Sequence, residues 1–350
     1  MPAADPELAA ELAKTTLQIY SEAVERLLGI IARRLAAGID QPGWAEQKLT
    51  EQVALRNQAQ AIVDQLTADS PTAVTEALTA AYQKGAAEIA ATFGTTNQSS
   101  LAELVRETIT AVQSTHLRIL RSVGDIYRQT IAETALPGIL TGTATTRQAA
   151  QAALNRFANQ GVTGFTDTAG RNWQLDSYVE MATRTGAGRA QVAGGLDRLV
   201  DEGKDLVIVS NAPAECSKCR PWEGRILSIS GARTGERLSD GRRVVASVAD
   251  ARAAGLLHAS CRHHLGAYIE GLTKPMTHTA DPEGDRLRQE QRRLERGVRQ
   301  WKRREAVAMS DGERAQARAK VREWQAALKQ HVDDNGLKRL RYREQLRAPG

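Results

Sequence analysis

"KDLVIVSNAPAECSKC", residues 204–219, sets two kinds of signal side by side. Its first half is a short apolar run bounded by turn residues, which predicts a buried strand within 204–212. Its second half is a Cys-x-x-Cys, and Cys216 and Cys219 are two of only three cysteines in the chain. The third, Cys261, lies in "LLHASCRHH" at 256–264, together with His258, His263 and His264, three of the six histidines. Two donors separated by two residues can grip one ion from a tight turn. Cys216, Cys219, His258 and Cys261 make the Cys₃His set of a closed tetrahedral zinc site. On that reading one structural zinc staples the strands between the two knuckles. His263 and His264 can replace His258 as ligands or cap the following strand, and a structural role is the one expected of them.

Two other readings of the cysteines stay open. Small thiols are commonly buried with ordinary hydrogen bonds, and a Cys-x-x-Cys can lower a thiol pKa for redox or catalytic work. A catalytic zinc keeps one position open, which four protein ligands would close. Neither His-Glu-x-x-His nor the His-x-Glu that zinc deaminases place ahead of their Pro-Cys-x-x-Cys occurs. The expectation is a clasp with no catalytic residue, and a zinc-dependent enzyme is the lesser alternative.

Working outward, "GRILSISG" (224–231) predicts a second strand, and "SVADARAAG" (247–255) a short helix capped by Ser247. Upstream, "VTGFTDTAGRNWQLDSY" (162–178) alternates around a turn at 169–170 and reads as a hairpin, followed by a helix over 175–200. A capped helix ending at Gly161 precedes it. Residues 139–282 therefore read as an α+β domain. Residues 1–138 read as helix after helix. Leu12, Leu17, Tyr20, Val24, Leu27, Leu28 and Ile31 recur three and four apart, with a stop at Gly38. A second helix is expected over about 44–68, a new start at Ser70–Pro71, and one long helix over about 99–134. Residues 283–350 read as a helix hairpin opened by Ser-Asp-Gly at 310–312, with Trp301 and Trp324 packed inside it. The fold class is mainly α with a central α+β domain.

The 350 residues carry a net charge of +6, unevenly placed. Residues 283–350 hold 19 Lys and Arg against 11 Asp and Glu, a net of +8, so the rest of the chain is slightly acidic. A basic tail suits nucleic acid or an acidic protein face, whereas interleaved acids also suit a salt-bridged helix pair. Residues 1–18 include acids and no apolar h-region, so no secretory signal is expected there. No apolar run approaches the ~18–20 residues of a membrane span. Three cysteines are too few for a disulfide scaffold, and synthesis in a reducing, cytosolic setting is expected.

"YVEMATRT" (178–185), "DLVIVS" (205–210), "CSKCRPWEGRILSISG" (216–231) and "GLLHASCRHHLGAYIEG" (255–271) together resemble the phage minor capsid protein 2 family. That family is akin to the head-morphogenesis proteins typified by the F protein of phage Mu. The resemblance is densest over 160–275, and extends to "LERGVRQWKRREA" and "GLKRLRYREQ" in the tail. It implies a structural minor capsid protein of a tailed bacteriophage, present in several copies per virion. Its implied partners are the portal or the major capsid protein, and packaged DNA through 283–350. It also marks Cys216, Cys219, His258, Cys261, Arg262 and His263 as a shared core, without supplying a metal or a reaction. A DNA-binding protein outside any virion is the alternative.

Overall fold

The computed structural model describes residues 8–89, 98–134, 145–160, 165–166, 172–212, 216–259, 261–274 and 281–346. Helices dominate: α1 (Leu8–Leu12), α2 (Lys14–Ala36), α3 (Trp44–Thr50), α4 (Gln52–Ile89), α5 (Gln98–Gln113), α6 (His116–Glu133), α7 (Thr146–Gln160), α8 (Leu175–Asp201), α9 (Val248–Ala253), α10 (Pro282–Ala306) and α11 (Asp311–Asp334). The strands are β1 (Phe165–Thr166), β2 (Asn172–Trp173), β3 (Leu206–Val209), β4 (Ile226–Ser228), β5 (Val244–Ser247) and β6 (Leu265–Ala267). This is the mainly α architecture with a small β-containing part that the sequence predicts. Among the described residues no helix is long and apolar enough to cross a membrane.

The helix expected over about 44–68 breaks at Glu51, whose amide turns back to the Lys48 carbonyl between α3 and α4, and three further helix boundaries differ from expectation. Ser70–Pro71 does not start a helix; Pro71 lies inside α4. Proline removes the N–H that would bond the carbonyl four residues back. That carbonyl belongs to Thr67, and the Gln113 side chain donates to it at 3.4 Å. The stretch 99–134 is two helices, not one. The Thr115 hydroxyl donates to the Val112 carbonyl at 2.7 Å and closes the first, and the Thr115 carbonyl accepts from Ile119 at 3.0 Å to open the second. The first helix also breaks, between α1 and α2 at Ala13, while its stop at Gly38 holds, with φ +70°.

The chain forms two compact units, neither continuous in sequence. One comprises Met1–Lys14, Thr72–Ala111 and Glu180–Arg288; the other comprises Thr15–Pro71, Val112–Val179 and Gln289–Gly350. The division into 1–138, 139–282 and 283–350 follows sequence texture, and its boundary at 138/139 lies outside the described residues, as does the hairpin turn at 169–170.

Among its described residues the second unit is helical apart from the β1–β2 pair. Tyr20, Leu27, Leu28, Ile31 and Leu35 of α2 are fully buried in it. The Tyr20 and Thr67 hydroxyls bracket the His116 ring, at 2.6 Å from Nε2 and 3.0 Å from Nδ1. Burial lowers the His116 pKa. The unfolded chain, with an ordinary histidine pKa of ~6.5, therefore takes up a proton that the folded chain declines. This contribution to stability is present above ~6.5 and is lost as pH falls towards the depressed folded value. Urea titrations between pH 7.5 and 5 should show His116→Gln losing less stability with acidification than the parent. Equal slopes would contradict this.

In the α10–α11 hairpin, Ser310 caps α11 by accepting from the Glu313 amide at 3.2 Å. Leu294 and Val298 pack against Val321, Leu328 and Val332, with Trp301 and Trp324 on the cluster as predicted. Gly297 lies so close under Trp324 that a Cβ there would stand 2.1 Å from the indole. The basic residues are largely engaged. Arg286, Arg288, Arg293 and Arg314 pair with acids three residues away, and Arg339 pairs with Glu344. Arg299 and Arg303 are buried against Asp176.

The first unit holds the four-stranded sheet, ordered β5-β4-β3-β6. β3 is antiparallel to both neighbours, and β4–β5 is parallel with a register shift after Ile226. The Leu-Val-Ile-Val run of β3 is buried throughout because both faces are covered. Val207, Val209 and Leu227 face Val192 and Leu199 of α8 and Val248 and Ala251 of α9. Leu206, Ile208 and Ile226 face Leu238, Val244 and Tyr268. Within the same unit α4 and α8 approach backbone to backbone, and only glycine fits at the crossing. A Cβ on Gly85 would meet the Gln191 carbonyl at 1.8 Å, and one on Gly194 the Tyr82 carbonyl at 2.1 Å.

Candidate metal centre

Both cysteine-bearing turns hang from β3 and its neighbours. The first knuckle lies in the β3–β4 connection, the second between α9 and β6, which pairs with the opposite edge of β3. Each is a tight turn of one kind: the Cys219 amide donates to the Cys216 carbonyl at 3.2 Å, and the Cys261 amide to the His258 carbonyl at 3.0 Å. A short 3₁₀ turn, Arg220–Trp222, follows the first. The second begins on Leu257, whose φ of +56° is the one positive value among the described non-glycine residues. A left-handed residue with a Cβ carries roughly 1–2 kcal/mol of strain. The cap expected of Ser247 is present, its hydroxyl accepting from the Asp250 amide at 2.9 Å, and α9 feeds the chain into this turn.

The turns bring five donors together. Cys216 Sγ lies 2.9 Å from His258 Nε2, Cys219 Sγ 3.5 Å from Cys261 Sγ, and Cys261 Sγ 3.4 Å from His263 Nδ1. They form two overlapping triples, Cys216–Cys219–His258 and Cys219–Cys261–His263, each with its ligand atoms mutually within 4.8 Å. All four residues singled out as ligands are present, but split between the triples, which share Cys219. The second triple adds His263, which spacing alone left as one of two substitutes. His264 belongs to neither: its amide donates to Ser210 Oγ at 3.1 Å, and burial, reinforced by the nearby His263, pushes its pKa down to about 4.

The surroundings polarise the cluster. The hydrogen bond from Cys219 favours the Cys261 thiolate against the effect of burial, and His263 adds to it; the same bond, with burial, raises the Cys219 pKa. Burial opposes charging of His263, but Cys261 and Glu223 outweigh it and raise its pKa. Glu223, itself buried, accepts from His263 Nε2 at 2.8 Å and from the Ala212 amide at 3.2 Å. A carboxylate behind an imidazole is the outer support that metal-bound histidines usually have. The order Cys261–His263–Glu223 is also that of a nucleophile, base and orienting acid.

The donor set fits a zinc-like ion. With bonds of about 2.3 Å to sulfur and 2.0–2.1 Å to nitrogen, tetrahedral ligand atoms stand about 3.4–3.8 Å apart. The Cys219–Cys261 and Cys261–His263 separations already fall there. Three thiols and two imidazoles suit a borderline-soft cation better than magnesium or calcium.

Fold and site together define a mainly helical protein whose small mixed sheet is gathered at one end by two Cys/His knuckles. A family model for "Phage minor capsid protein 2" matches residues 4–333, and the chain belongs to that family. It is also 26% identical over 225 residues to a "Structural protein" of Lactococcus phage LL-H, covering 62% of this chain and 60% of the relative's length. No solved structure matches it.

Proposed function

We propose that this chain is a non-enzymatic structural protein of a tailed-phage head, incorporated into the virion in several copies and seated at the portal or on the inner face of the major capsid shell. The observation that carries this reading is the family match across nearly the whole chain. The name borne by the Lactococcus phage relative agrees with it. Cys216, Cys219, His258 and Cys261 hold one structural zinc, and the support is the chemistry of the five gathered donors. The zinc would close the loops at the end of the sheet and leave a rigid surface for neighbours. A second contact, to packaged DNA, is proposed for residues 283–350. Arg322 and Lys329 support it, exposed and seven apart on one face of α11.

The test is the amount of this protein relative to the portal in purified particles, by quantitative mass spectrometry. A fixed small ratio is expected, unchanged on DNA release. A ratio that varies between preparations, or falls when DNA leaves, would replace the portal seat by a DNA-associated one. Absence from particles would overturn the structural reading.

A further inference from the structure

Five donors surround a site for which a tetrahedral ion needs four. Cys219 Sγ is within 4.8 Å of a ligand atom of each of the other four, Cys216, His258, Cys261 and His263. An ion on Cys219 can therefore sit with His258 in the first triple or with His263 in the second, and completing either set draws in the remaining cysteine, since Cys216 and Cys261 share no triple. The chemistry of their outer partners assigns the proton on each neutral ring. Ala259 O can only accept, and it lies 2.8 Å from His258 Nδ1. That nitrogen carries the hydrogen, and the bare Nε2 points at Cys216. The Glu223 carboxylate accepts from His263 Nε2 at 2.8 Å, which leaves the bare Nδ1 pointing at Cys261. Both imidazoles thus turn a lone pair into the cluster, and both have the backing acceptor that ligating histidines have. They differ in setting. His263 is buried and braced by a buried carboxylate; His258 is half-exposed and follows the strained Leu257.

We propose that His263 is a metal ligand in its own right, and that the imidazole place beside Cys216, Cys219 and Cys261 can be filled by either His263 or His258. This rests on the zinc reading above. His263 is the anchored donor and His258 the exchangeable one, so the clasp can release its exposed histidine to a neighbour or to solvent without losing the ion.

The experiment uses the full chain, loaded with zinc or with cobalt(II) as a spectroscopic probe. Metal content comes from native mass spectrometry, affinity from competition with a chromophoric chelator. His258→Ala and His263→Ala should each keep one metal, with affinity down by about tenfold or less, whereas His258→Ala/His263→Ala should lose more than about a hundredfold. Glu223→Gln, which leaves every donor in place, should shift the cobalt ligand-field bands more strongly in the His258→Ala background than in the parent. If His258→Ala alone loses as much as the double variant, while His263→Ala and Glu223→Gln leave affinity and spectrum unchanged, His258 is the sole nitrogen ligand. The inference then fails and the clasp stands. A parent protein that binds no metal ends both. Should His263→Ala not fold, the Glu223→Gln spectra decide the matter alone.

Discussion

Cys219→Ser should abolish metal binding and loosen the sheet of the first unit as strongly as a chelator does. Cys219 is the one donor common to both triples; without it the others remain as two separate pairs, Cys216–His258 and Cys261–His263, and no three of them lie within 4.8 Å of one another. It is also fully buried, in the cluster with Val209, Leu227, Leu256 and Leu265, so the substitution removes metal and packing together. The metal part can be separated. A ligand that binds only the folded state adds about 4 kcal/mol when its free concentration is a thousand times its Kd, and structural zinc sites commonly bind more tightly than that implies. The apolar Cys219→Ala, compared with the chelated parent, isolates the packing part, expected at about 1 kcal/mol. Denaturation of the parent with zinc, the parent with chelator, and both variants gives the four midpoints. Both variants and the chelated parent should cluster several kcal/mol below the zinc-loaded protein. If chelator leaves the parent's midpoint in place, hydrogen bonds and packing hold the knuckles, and zinc is the wrong explanation.

The parts of this molecule that were legible in its sequence are those set by near neighbours. The Leu206–Val209 run carries its own strand signal, and Ser247 its own cap. The two tryptophans of the hairpin announce themselves because a large apolar side chain in a charged helix has few other uses. Pro71 misleads for the same reason. Serine followed by proline is a local start signal, while the Gln113 side chain that compensates for the lost N–H is remote in sequence. β5 leaves little trace, since four residues, the last of them the Ser247 cap itself, do not establish a period. Within the site, the spacing His-x-x-Cys-x-His offers either histidine as a ligand. What separates them is setting: His263 is buried and braced by Glu223, remote in sequence beside the other knuckle, whereas His258 is half-exposed. Charge count was similarly blind to burial. Two of the arginines that make the tail basic lie beneath its surface, neutralised by an acid from α8.

That acid carries the second large effect, because Asp176→Ala leaves two guanidinium groups buried with no anion between them. Asp176 Oδ2 lies 2.9 Å from Arg299 Nε and 3.6 Å from Arg303 Nη1, and all three side chains are at most 5% exposed. The remaining partners are neutral: Arg303 donates to the Ala158 carbonyl at 2.8 Å and to Gln174 Oε1 at 3.0 Å, and Arg299 to the Arg343 carbonyl. These satisfy N–H groups but balance no charge. Burial pulls the Arg303 pKa down and Asp176 opposes it, yet an arginine does not shed its proton in a protein. Removing one partner of such a buried group typically costs about 3–5 kcal/mol. The control is Arg286→Ala, whose pair with Glu283 is mostly exposed on both sides and belongs to a class worth ~0–1 kcal/mol. Chemical denaturation of the full chain should separate the two variants by at least about 2 kcal/mol, and equal losses would refute a structural role for the buried triad. The outcome also bears on DNA. If Asp176→Ala loosens the hairpin and exposes Arg299 and Arg303, nonspecific DNA retention should rise and steepen in its salt dependence, since each newly available cation adds to the counterions released. In the parent those two charges are spent on holding the hairpin to the start of α8, and any grip on DNA falls to exposed cations such as Arg322 and Lys329.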